Sequence, residues 1–143
     1  KRFMRYIGLD LGKKTLGISL SDKLGLVASF YKNIKYEDEE KLLEELSYII
    51  NKEKIDKIVL GLPKNMDGTL GFRAEETIEF KKKLEKKTAK QVLLEDERLT
   101  TVLAEQVLLK ADLSRKKRKQ VIDGVSAVVI LQSFLDKEGK NGK

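Results

Sequence analysis

The 143-residue sequence contains no cysteine and no histidine. Without thiols there is neither a disulfide framework nor a thiolate metal site. Without imidazole, Ser-His-Asp and Cys-His catalysis are excluded, together with most zinc sites. Any acid–base or metal-binding chemistry must therefore rest on Asp, Glu, Lys or Tyr. Long apolar runs are missing too. None approaches the ~20 residues needed to span a bilayer, and the first residues form no signal-peptide pattern. A cytoplasmic protein with no membrane partner is expected. Proline occurs once, at Pro63, within a loop.

Charge is what the sequence has in quantity. Charged residues make up 37% and hydrophobic ones 41%, which describes one soluble globular domain with enough apolar side chains for a proper core. Thirty Lys and Arg stand against 23 Asp and Glu, a net charge of +7. Such a balance suits a polyanionic partner, nucleic acid above all, although lysine-rich composition alone produces the same sign.

The chain is organised around Tyr6-Ile7-Gly8-Leu9-Asp10-Leu11-Gly12. Ile7, Leu9 and Leu11 alternate with Tyr6, Gly8, Asp10 and Gly12, the period of a strand. One face is aliphatic and the other glycine-rich, as expected where something packs close on both sides. A carboxylate in a central strand is costly unless it is paired, hydrogen-bonded or bound to a metal.

After the turn at Gly12-Lys13-Lys14, Thr15–Ser21 reads as the second strand of a hairpin and Leu26–Ile34 as a third, antiparallel strand. Over Glu37–Lys52 the period changes to that of a helix, with Leu42, Leu43, Leu46, Ile49 and Ile50 on one side. Ile58-Val59-Leu60 is a short apolar run typical of a parallel strand covered on both faces. The loop Gly61–Gly68 follows, then a helix capped by Thr69 and reaching about Lys87, with Ala74, Ile78 and Leu84 inward. Val92-Leu93-Leu94 is a further buried strand that runs into Glu95-Asp96-Glu97-Arg98. Thr100 or Thr101 caps the next helix, and Ser114 a last one over Arg115–Asp136. The segment 137–143 is expected to be a disordered tail. The order predicts a single α/β domain over 1–143, built on a five-stranded mixed sheet flanked by helices. Ligand sites in such sheets lie outside the carboxyl ends of parallel strands, where Asp10, the Gly61–Gly68 loop and the Glu95–Arg98 cluster fall.

The last helix has little polar face, yet Asp123 sits inside its apolar run. Ser126 and Ala127, three and four residues on, share its side and allow close approach to a sheet. An unpaired buried carboxylate is rare and costly, which marks Asp123 as functional. Three carboxylates without histidine or cysteine describe an oxygen-donor site suited to a hard cation, Mg²⁺ or Mn²⁺. Two such ions roughly 4 Å apart activate a water and stabilise the leaving oxygen of a phosphodiester.

Four stretches together resemble a known family. They are Ile7-Gly8-Leu9-Asp10-Leu11-Gly12, Gly61-Leu62-Pro63-Lys64-Asn65-Met66-Asp67-Gly68, Asp96-Glu97-Arg98-Leu99-Thr100-Thr101-Val102 and Asp123-Gly124-Val125-Ser126-Ala127-Val128-Val129-Ile130-Leu131. In this order they are similar to the YqgF (RuvX-like) family of bacterial proteins, described as Holliday junction resolvases and as nucleases of pre-16S rRNA maturation. The resemblance spans nearly the whole chain after Met4. It implies an RNase H-like fold and a metal-dependent nuclease site of Asp10, Glu97 and Asp123, with Asp96 as the alternative to Glu97. Its implied partners are precursor rRNA or branched DNA, and ribosomal particles, for a monomer or homodimer. Thr100 stands where the family usually has serine, and Gly124 where serine or alanine is common; neither change touches a carboxylate.

Secondary candidates surround this set. Lys64, Asn65 and Arg98 are placed to hold phosphates, with Arg98 alternatively paired to Asp96 or Glu95. Asp67 precedes a glycine and fits a turn equally well. The run Arg115-Lys116-Lys117-Arg118-Lys119 opens the Asp123 helix and reads as a phosphate contact or a solvated face. Two other classes stay open. Asp10-Leu11-Gly12-Lys13-Lys14-Thr15 also resembles the phosphate loop of the actin, Hsp70 and sugar-kinase superfamily, but that site needs two such domains. A non-catalytic nucleic-acid-binding or ribosome-assembly module is the other.

Overall fold

The structure is a computed structural model. It describes residues 3–65, 67–97 and 115–141, with side chains in the last segment described from 125 to 138. The elements are β1 (Tyr6–Leu11), β2 (Thr15–Ser21), β3 (Ala28–Lys35), α1 (Glu39–Lys52), β4 (Lys57–Leu62), α2 (Phe72–Thr88), β5 (Val92–Asp96) and α3 (Arg115–Asn141). The five strands form one sheet in the order β3-β2-β1-β4-β5. β1, β2 and β3 pair antiparallel, while β4 pairs parallel with both β1 and β5. β1 is thus central, as its two-sided burial requires.

The alternation of β1 divides the core into two layers. Ile7 and Leu9 join Leu16, Ile18, Ile58 and Leu60 against α1 and α2. On the other face Val59 packs with Ile130, Leu131, Phe134 and Leu135 of α3. Helix α1 buries the five apolar side chains that its spacing selects, Leu42, Leu43, Leu46, Ile49 and Ile50. Each is worth roughly 1.5–3 kcal/mol on burial. Asp38 caps α1, accepting a hydrogen bond from the Glu40 amide at 3.0 Å.

Helix α2 differs in detail from the sequence expectation. It starts at Phe72 after Gly71, not at Thr69. Thr69 is held instead by Asp67, whose Oδ1 accepts from the Thr69 amide at 2.9 Å and its hydroxyl at 2.7 Å. The inner face is Ala74, Thr77, Phe80 and Leu84, and Ile78 is only half-buried. Thr77 tolerates burial because its hydroxyl donates to the Arg73 carbonyl at 2.8 Å.

Helix α3 crosses the sheet antiparallel to β1. The Phe134 ring meets Tyr6 edge-on, with centroids 5.4 Å apart. One to two turns earlier, Leu131 and Ala127 lie over Gly8. A Cβ on Gly8 would stand 2.6 Å from Leu131 Cβ and 3.2 Å from the Ala127 carbonyl, so glycine is required for this approach. Ser19 on β2 fastens the crossing by donating to the Ala127 carbonyl at 2.8 Å. The stretch read as a disordered tail is helical as far as Asn141. Lys137 opens this extension by pairing with Glu95 at 2.6 Å. The helix expected after Thr100 lies outside the described residues.

Candidate active site

Asp10 ends the α3-facing row of β1 that begins with Tyr6 and Gly8, next to the last strand residue, Leu11. At the carboxyl end of the neighbouring parallel strands, β5 closes with Asp96 and the chain continues to Glu97. The Glu97 amide donates to the Leu62 carbonyl of β4 at 3.2 Å, so Glu97 prolongs the ladder by one residue. Strand alternation then decides which face each acidic residue serves. Leu93, Glu95 and Glu97 fall on the α3 face, and Leu94 and Asp96 on the α1–α2 face.

The consequence is a separation of three adjacent carboxylates. Glu97 reaches Asp10, and the two side chains share a hydrogen bond. Asp96 pairs with Lys64 at 3.8 Å. Glu95, only 4% exposed, is held by α3: its Oε2 accepts from the Ser133 hydroxyl at 3.0 Å and pairs with Lys137. Glu95 is therefore a structural carboxylate whose burial is compensated by a hydrogen bond and a cation.

Space for Glu97 comes from Gly61 on β4. A Cβ there would overlap Glu97 Oε2 and stand 2.6 Å from Ile130 Cδ1. Burial pushes the Glu97 carboxyl up from 4.5 to about 8, with the Asp10 charge as the second cause. The Arg73 guanidinium opposes the rise, while the hydrogen bond to Asp10 and the Asp96 charge add to it. A proton shared between two carboxylates is what like charges at one site adopt.

Arg73, in the first turn of α2, is a site residue that sequence reasoning missed. Its Nη2 donates to the Leu11 carbonyl at 3.2 Å while its charge acts on Glu97. The only signal was its position just after a strand-end loop, where a helix N-terminus faces the carboxyl edge of the sheet. Lys64 neighbours the site through Asp96. Asn65 shapes the loop instead: its Nδ2 donates to the Thr69 hydroxyl at 2.9 Å, and its carbonyl accepts from the Gly68 amide at 2.8 Å. Asp67 makes the turn described above. Arg98 lies outside the described residues. Asp123 lies on α3, four residues before Ala127, and its side chain is likewise outside them. Among the described residues no three acidic side chains converge as a ready metal cage, so Asp10 and Glu97 form the described acidic pair.

The fold is similar to that of RuvC-like resolvases, which have an RNase H-like fold. Thermus thermophilus RuvC in complex with a Holliday junction superposes with a TM-score of 0.60 at 13% identity, over 95% of this chain and 96% of that one. The fowlpox virus resolvase bound to Holliday junction DNA gives 0.55 at 12% identity, over 94% and 98%. At these identities the likeness is one of fold. The family follows from sequence. The signature of RuvX, described as Holliday junction resolvase, matches residues 4–137, and this chain belongs to that family. A Geobacillus protein (strain WCH70) is 53% identical over 135 residues, covering 93% of this chain and 98% of its own. One from Clostridioides difficile (strain 630) is 51% identical over 132 residues, covering 92% and 94%. Both carry the name "Putative pre-16S rRNA nuclease".

Proposed function

We propose that the chain is a divalent-metal-dependent nuclease that hydrolyses phosphodiester bonds in the precursor of 16S rRNA, with Asp10, Glu97 and Asp123 as metal ligands. The observation that carries this reading is the meeting of Asp10 and Glu97 at the carboxyl edge of an RNase H-like sheet. Two acidic side chains in hydrogen-bond contact are an oxygen-donor pair that a hard cation fits. The register of α3 supports the third ligand. Phe134 lies at Tyr6 and Ala127 at Gly8, so one further turn toward the helix N-terminus brings the backbone of Asp123 toward the level of Asp10. Bound Mg²⁺ or Mn²⁺ would supply activation of the attacking water and stabilisation of the leaving oxygen.

The chain's own groups do the remaining tasks. Gly61 keeps the Glu97 carboxylate free to approach Asp10. Arg73 opposes the repulsion of the acidic pair and presents a guanidinium to an incoming phosphate. Lys64, beside Asp96, adds a second cation at the same edge. A net charge of +7 draws the polyanion in. We place the protein in the cytoplasm, where rRNA is processed; no helix among the described residues is long and apolar enough to cross a membrane.

A second reading, resolution of four-way DNA junctions, is favoured by the family description and by the junction-bound fold relatives. It requires two sites acting together, hence a homodimer; rRNA cleavage does not. Side-by-side cleavage by one preparation decides between them. Faster cut of the rRNA precursor at its 5′ end supports the first reading. Symmetric paired nicks in the junction, with intact rRNA, support the second.

A further inference from the structure

Phe72 is the first residue of α2 and is 74% exposed, more than any other large hydrophobic side chain among the described residues. It stands on the wall of a groove of ≈ 460 Å³, a size typical of small-ligand sites. The groove is also lined by the Leu11–Lys13 turn, by Tyr36 and Glu37 after β3, and by Arg73 and Glu76. It adjoins the acidic pair: Leu11 directly follows Asp10, and Arg73 both binds the Leu11 carbonyl and acts on Glu97.

The lining selects its occupant. Glu37, Glu39 and Glu76 outnumber the cations Lys13 and Arg73 along the lining, which disfavours a phosphate in the interior, whereas Lys13 attracts one at the hairpin turn. A nucleobase is neutral. It offers a π-face to Phe72 and N–H donors at its edge to the carboxylates of Glu37 and Glu76, Glu39 being paired with Lys83. The Tyr36 hydroxyl is committed to the Gly12 carbonyl at 3.2 Å, which fixes that wall.

We infer that this groove takes an unpaired nucleobase of the substrate strand, stacked on Phe72, next to the phosphate that is cut. The inference rests on the nuclease reading and narrows its substrate to strands with an unstacked nucleotide beside the cleavage position, such as a single-stranded rRNA end, over continuous duplex.

The test uses one RNA sequence, single-stranded and fully paired, with 2-aminopurine placed in turn at each central position and a chelator present so that nothing is cut. Wild-type protein should quench the fluorophore at one position of the single strand. Phe72→Ala, at an exposed site and therefore with an unchanged melting temperature, should lose the quench. It should bind the single strand roughly 5- to 100-fold more weakly. Phe72→Tyr should keep both, and duplex binding should be the same for all three. Equal single-strand binding by wild type and Phe72→Ala overturns the groove assignment alone. Equal loss on single strand and duplex does the same. A wild-type protein that binds neither strand nor duplex overturns the nuclease reading as well.

Discussion

Gly61 and Glu97 compete for one volume: the carboxylate of Glu97 occupies the space that a β-carbon on residue 61 would need. The two obstacles to a Cβ there, Glu97 Oε2 and Ile130 Cδ1, are both ends of flexible side chains, so the fold can yield. Gly61→Ala should therefore cost only about 1–3 kcal/mol in stability while displacing Glu97 from Asp10 and abolishing metal-dependent cleavage. Gly8→Ala meets the Ala127 backbone and should destabilise more. Paired melting and cleavage measurements on the two variants check the contrast; full activity in Gly61→Ala would remove Glu97 from the site.

The acidic pair ties stability to pH. The carboxyl of Glu97 titrates near 8 in the folded chain and near 4.5 when exposed, so the native state holds a proton that the unfolded chain has lost. Below pH 4.5 both states are protonated and there is no penalty. Between 4.5 and about 8 the native state loses stability as pH rises, by at most about 1.4 kcal/mol per pH unit, and the penalty then levels off. Melting temperatures in chelator from pH 5 to 9 should fall more steeply for wild type than for Glu97→Gln. Parallel curves would show that Glu97 titrates normally.

Divalent cation should reverse that trend. Because the ligand must be deprotonated, Mg²⁺ or Mn²⁺ binding releases a proton below pH 8 and strengthens as pH rises. Calorimetry in two buffers of different ionisation enthalpy measures the release directly. Expected is about one proton at pH 7 for wild type and none for Glu97→Gln.

Glu95 gives the opposite prediction to its neighbour. Lys137 is exposed and Glu95 buried, so Lys137→Ala removes a cation that compensates a desolvated carboxylate. Stability should drop by about 1 kcal/mol, discounted for the exposed partner, with cleavage unchanged. Loss of cleavage without loss of stability would move Glu95 into the site.

Much of this was legible in the sequence because period-two and period-3.6 patterns report burial directly. The glycine-rich row of β1 announced the close approach of α3, and Asp10 marked the strand end at which Glu97 meets it. Adjacent acids were harder. Asp96 and Glu97 differ by one residue, and only the strand register, set by pairing with β4, assigns them to opposite faces. Arg73 and Phe72 could not be found from pattern, because the fold alone brings the start of α2 beside the end of β1. The helical reach to Asn141 was missed for a related reason: the partner of Lys137 is 42 positions away, at Glu95.

The most direct test of the central claim is cleavage of a labelled pre-16S rRNA fragment in Mg²⁺ by wild type and by Asp10→Asn. Asparagine keeps the shape and part of the hydrogen bonding but removes the charge that would hold a cation. The variant should fold, bind the RNA at least as well, and, above pH 8 where Glu97 is deprotonated, melt no lower than wild type in chelator, since one of two repelling carboxylates is gone. Its cleavage rate should fall by orders of magnitude, and Glu97→Gln should match it, with the double variant little worse than either. Cleavage by Asp10→Asn at the wild-type rate would contradict the account and leave a nucleic-acid-binding module in its place.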